Sequence, residues 1–236
     1  MDVQALDLRA DQLRHQRKNL PELAEIAALQ ADRTALENRA RDARIVADDL
    51  GAEQRRVDAD VEQVRARRVR DRDRMDSGAI TNPKDLERMQ HELASLERRI
   101  TSLEDDELEV MARLEDAQKD LAAFTEQVAS ADQRLAALAV ARDEKLAEID
   151  TTLAQVAVER AAAAEGLPED LAALYEKLRA QKAGIGAAAL HQRRCTGCQL
   201  SIDASELARI KGAATDEVVR CEECSRILVR TAESGL

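Results

Sequence analysis

A chain of 236 residues with one Phe, one Tyr and no Trp cannot build the aromatic-rich core of an ordinary globular domain. Its hydrophobic content is 44%, much of it alanine, and 35% of its residues are charged, which is the composition of long helices joined by narrow apolar seams. The net charge of -11 argues against a protein devoted to wrapping nucleic acid, because affinity for phosphate rests on concentrated Lys and Arg.

The first residues, MDVQALDLRAD, have neither the charged n-region nor the apolar h-region of a secretory signal. No stretch reaches the roughly 20 apolar residues of a membrane span, so a cytoplasmic protein without a membrane partner is expected. A short helix over about 3–18 ends before Pro21 in KNLPEL, and a long helix follows over about 22–76. Leu29, Leu36, Ala40, Ala43, Leu50, Val57, Val61 and Val64 form its weak seam, interrupted by Arg33 and Gln54. The stretch DSGAITNP then reads as a tip over 77–82: Gly78 can take positive φ, Thr81 or Asn82 can cap the next helix, and Pro83 suits its first position.

The second long helix, about 83–165, carries the stronger signal. Alternate steps of three and four from Leu86 to Leu138 meet an apolar residue at every slot except Glu107, the a/d seam of a left-handed coiled coil. Past Leu138 the expected slots hold Arg142 and Lys145, and the series resumes one residue late at Leu146, Ile149, Leu153 and Val156, a stutter that relaxes the supercoil without ending the helix. The two long helices are expected to pair as an antiparallel hairpin within a monomer, which the tip favours over a parallel homodimer. A reversal centred near Ala79 places Arg55 and Arg56 opposite the acidic run Glu104 to Glu107. In EGLPEDLAALYEKLRAQKAGIG, Gly166 closes the long helix, a connector helix spans about 168–182, and Gly184 and Gly186 end it. Residues 1–182 thus form the coiled-coil hairpin, and 183–236 a separate small module.

That module holds all four cysteines, as Cys195-Thr-Gly-Cys198 and Cys221-Glu-Glu-Cys224 with 22 residues between the pairs. Two CxxC knuckles at such a gap suit a four-thiolate metal site, and a module without aromatics needs the metal for folding free energy. One structural Zn2+ is the expected ion. A rubredoxin-type iron site shares the ligand set, and disulfides or redox thiols are disfavoured in the cytoplasm. The segments ALHQRRC and EVVRCEECSRILVR are β-prone, and DASELARIK reads as a helix capped by Asp203 or Ser205. Arg193, Arg194, Arg220, Arg226 and Arg230 are candidate contacts for nucleic acid or a partner. Residues 191–236 nevertheless balance seven Lys or Arg against seven Asp or Glu, with no aromatic to stack a base.

Taken together, TNPKDLERMQHEL after the turn, GLPEDLAALYEKLR, GIGAA, CTGC and CEECSRIL resemble the bacterial family of coiled-coil hairpin proteins with a C-terminal C4-type zinc ribbon, over nearly the whole chain. The resemblance implies a mainly α fold, a long antiparallel coiled-coil hairpin with a small α+β zinc ribbon, and zinc ligands at Cys195, Cys198, Cys221 and Cys224. It also implies no enzymatic activity, and partners of the sigma-factor, RNA or secretion type. Glu222 and Ser225 stand where that family commonly has Pro and Gly. The expected function is a non-enzymatic adaptor or chaperone-like scaffold for a protein partner; a nucleic-acid-binding regulator and a coiled-coil assembly component are the alternatives.

Overall fold

The computed structural model describes Met1–Leu236. In chain order it contains α1 (Asp2–Lys18), α2 (Pro21–Asp76), α3 (Pro83–Ala164), α4 (Glu169–Gln181), β1 (Ala187–His191), β2 (Arg194–Cys195), α5 (Ala204–Gly212) and β3 (Ile227–Val229). It is a mainly α fold with two long helices in a hairpin and a small C-terminal β region. No helix is long and apolar enough to cross a membrane. The chain divides into two compact units, a hairpin unit of Glu25–Leu138 and a terminal unit of Met1–Ala24 with Ala139–Leu236. The boundary in α3 falls at Leu138, where the heptad series stutters.

In the hairpin unit every slot of the α3 seam from Leu86 to Leu138 is buried or half-buried, Glu107 included. The α2 seam is more regular than its apolar residues suggest: steps of three and four from Ile26 to Met75 land on buried or half-buried positions throughout. Four of these are polar. Arg33 bonds Asp132 and pairs with Glu37 at 2.9 Å, and Arg68 reaches Glu97 at 3.0 Å. Such side chains cover the seam with their stems while their heads find carboxylates at its rim.

The register differs from the expected one. Arg65, not Arg55, donates to Glu104, at 2.6 Å, and Ala47 and Leu50 pack with Leu114 and Ala117. Facing residue numbers therefore sum to about 165, which centres the reversal near Asn82 rather than Ala79. Of the two candidate caps it is Asn82 that acts, its Oδ1 accepting from the Lys84 N–H at 3.1 Å. The non-helical tip between Asp76 and Pro83 thus lies on the α2 side of the reversal, and half-buried Ile80 lines a groove with Met89.

In the terminal unit α1 buries two polar residues, Gln4 and Asp7, beside Ala10. Asp7 is 2% exposed and accepts from Arg160 Nε of α3 and from the Tyr175 hydroxyl of α4, both at 2.7 Å. Arg179 of α4 bonds Asp11 at 3.0 Å and lies 3.6 Å from Asp7. Helices that offer each other few large apolar side chains are joined here by an ionic network centred on buried Asp7, whose charge needs its partners. The small sheet has order β2-β1-β3, with β1–β2 antiparallel and β1–β3 parallel. One apolar cluster (Leu190, Ile210, Val219 and Leu228 among its members) packs around Cys195 and Cys221, and another joins Ala187 and Ile227 to Tyr175 and Leu178 of α4.

Candidate metal centre

Each pair of cysteines sits on a tight turn that follows a short extended segment. In the first, the Cys195 N–H donates to Leu200 O and the Gln199 N–H returns to Cys195 O. In the second, the Cys221 N–H donates to Arg226 O and the Ser225 N–H returns to Cys221 O. Gly197 is needed for close approach, since a Cβ there would lie 2.7 Å from Arg226 Cδ and 3.0 Å from Ala188 Cβ. Gln199 and Ser225 close the turns at φ 62° and 63°, the left-handed region that Gly occupies at least cost.

The four Sγ atoms converge to within 4.8 Å of one another. Cys195 lies 3.8 Å from Cys224, and Cys198 lies 3.9 Å from Cys221. A tetrahedral ion about 2.3 Å from each thiolate sets its ligands ~3.8 Å apart, so the donor set suits zinc and both of these separations match it. All four cysteines are free, and these separations are far beyond the roughly 2.05 Å of a disulfide. Burial pushes the Cys195 thiol up, and it pushes Cys221 up to about 12. At Cys224 burial is outweighed by hydrogen bonds from the Arg226 main chain and side chain and from Cys221 and Cys198, which bring it down to about 7. Thiols held this way shed their protons when a divalent cation replaces them.

Residues 3–183 match the CT398-like coiled coil hairpin domain, and residues 194–228 match the C4-type zinc ribbon domain. The chain belongs to the CT398-like hairpin family. An uncharacterized protein of Mycobacterium tuberculosis is 40% identical over 230 residues, covering 98% of this chain and 93% of that relative. Another, from Mycobacterium leprae, is 30% identical over 226 residues, covering 94% and 95%. A solved structure from Mycobacterium smegmatis is similar at TM-score 0.81 and 36% identity, covering 97% of this chain and 94% of that one. CT398 of Chlamydia trachomatis shares the fold at TM-score 0.67 and 18% identity, over 97% and 94% of the two chains. The CT398-like hairpin with its ribbon is a fold of non-catalytic structural and adaptor proteins.

Within this CT398-like chain the five ribbon arginines all donate to main-chain carbonyls. Arg193 reaches Gly235 O at 3.0 Å, Arg194 reaches Gln199 O at 2.8 Å, and Arg220 reaches Ser225 O at 3.0 Å. Arg226 holds Ile185 O at 2.9 Å and Lys182 O at 3.1 Å, and Arg230 holds Ala213 O at 2.7 Å. The helix α5 is capped by Asp203, which accepts from the Glu206 N–H at 2.8 Å.

Gln4 is a further structural residue that hydrophobic periodicity does not mark. Its Oε1 accepts from the N–H groups of Gly186 and Ala187 at 2.8 and 3.1 Å, and its Nε2 donates to Gly184 O at 2.8 Å. With Arg226 on the other carbonyls, the glycine linker before the ribbon is hydrogen-bonded rather than free. Only the polar spacing of Gln4, Asp7 and Asp11 on one helix face, together with the chain's single tyrosine, could have pointed to this assembly.

Proposed function

We propose that the chain is a non-enzymatic scaffold or adaptor acting as a monomer in the cytoplasm. Cys195, Cys198, Cys221 and Cys224 hold one structural Zn2+, and the hairpin and ribbon present surfaces to a protein partner. The functional division lies between the hairpin, residues 1–182, and the ribbon, residues 183–236. The observation that favours a protein over a nucleic-acid partner is the engagement of Arg193, Arg194, Arg220, Arg226 and Arg230 with carbonyls of their own chain. Four thiolates on a divalent ion add about two negative charges beside them. The sigma-factor or secretion-type proteins implied by the sequence resemblance are the first partners to test.

The deciding experiment is fluorescence anisotropy of labelled RNA and duplex DNA with the zinc-loaded chain across a salt series. No micromolar binding is expected. Micromolar affinity that falls steeply on a log-log salt plot would establish the nucleic-acid regulator instead.

A further inference from the structure

The two cysteine turns are the same structure built twice, 26 residues apart. In each, the N–H of the first Cys donates five residues ahead, at 3.0 Å in both Cys195→Leu200 and Cys221→Arg226. In each, the residue four after that Cys is left-handed and returns its N–H at 2.8 Å. The main-chain N–H groups two and three residues on, Gly197 and Cys198 or Glu223 and Cys224, bond the first Cys. The residue before the Cys pairs with the one seven further on, as Arg194 with Ser201 and Arg220 with Ile227. That preceding residue is Arg both times, and its guanidinium donates to the carbonyl of the left-handed residue, Arg194 to Gln199 at 2.8 Å and Arg220 to Ser225 at 3.0 Å.

We propose that Arg194 and Arg220 are matched positioning residues of the metal centre, each bracing one cysteine knuckle in its ligand-converging shape. A left-handed Gln or Ser holds a strained backbone that relaxes readily once its carbonyl is unpinned. Relaxation there breaks the return bond to the first Cys and lets the two sulfurs of that knuckle drift apart. The guanidinium prevents this from outside the coordination shell, as outer partners of metal ligands do elsewhere. The Arg-Cys dipeptide that opens each knuckle is the sequence trace of this arrangement, and the two braces act independently because each serves its own turn. The proposal rests on the four-cysteine zinc reading.

The test is zinc affinity of the full-length chain, measured by competition with a chromogenic chelator. Arg194→Met and Arg220→Met are each expected to weaken zinc binding about tenfold or more, and Arg194→Lys and Arg220→Lys to weaken it less. Removing the left-handed strain should rescue only the matching knuckle: Gln199→Gly restores affinity to Arg194→Met but not to Arg220→Met, and Ser225→Gly does the reverse. Wild-type affinity in both Met variants overturns the proposal, as does rescue without regard to knuckle, which would indicate general destabilisation. A wild-type chain that binds no zinc overturns the metal reading and the braces together; a zinc-binding wild type with unaffected variants overturns the braces alone.

Discussion

The hydroxyl of Tyr175 donates to Asp7 Oδ2 at 2.7 Å, joining the chain's single tyrosine to a carboxylate 168 residues earlier. Burial raises the Asp7 pKa, but the bonds from Arg160 and Tyr175 and the charges of Arg160 and Arg179 outweigh it and hold the carboxyl below its ordinary value. Because the folded pKa is depressed, Asp7 stabilises the fold above the unfolded carboxylate pKa of about 3.9, and this is lost as pH falls through the lower folded value. Asp7→Asn should cost about 3 kcal/mol at neutral pH by leaving Arg160 and Arg179 without their buried partner. Denaturant titrations between pH 7 and pH 2 should show a shallower acid-side loss in this variant than in the wild type. Tyr175→Phe, which removes one donor and leaves the ion pairs, should cost about 1 kcal/mol.

Gly186 allows the linker to cross α4, since a Cβ there would meet Tyr175 O at 2.7 Å and the tyrosine ring at 2.9 Å. Gly186→Ala is expected to destabilise the terminal unit by about 1–3 kcal/mol. Limited trypsin digestion should show faster cleavage after Lys182, whose carbonyl Arg226 holds in the wild type.

Metal content should be one zinc per chain by elemental analysis, with Cys→Ser at any of the four ligands reducing it. Since Cys195 and Cys221 are pushed up by burial, zinc must displace protons to bind. Apparent affinity should therefore rise with pH and fall on acidification, as read by chelator competition at several pH values.

The seam can be checked by contrast. Leu50 is 6% exposed against Leu114 and Ala117, whereas Leu108, one residue past a seam slot, is 65% exposed. Leu50→Ala should cost about 2–3 kcal/mol and Leu108→Ala less than about 0.5 kcal/mol, measured by thermal or denaturant unfolding.

Hydrophobic periodicity carried the hairpin because each apolar slot from Leu86 onward faces the partner helix, and the CxxC spacing carried the metal cluster because the ligands come in local pairs. The α2 seam was partly hidden, since Arg33, Gln54, Arg68 and Asp71 occupy core slots and resemble interruptions. The register depended on the path of the tip, which side-chain pattern does not encode. At the ribbon, the guanidinium-to-carbonyl bonds of Arg194 and Arg220 depend on left-handed residues four positions after a cysteine, a backbone feature that the side-chain sequence does not display. The buried face of α1 escaped detection because its contacts are polar.

Gln4 finds its partners at Gly186 and Ala187, more than 180 residues downstream. Closing so large a loop is entropically slow, whereas α2 and α3 meet through nearby turns and can pair early. On a growing polypeptide the first helix must therefore wait, its polar face unsatisfied, until almost everything else has been made. The hairpin is therefore expected to assemble first and the terminal unit last, an order that pulse-labelled hydrogen exchange during refolding would read out.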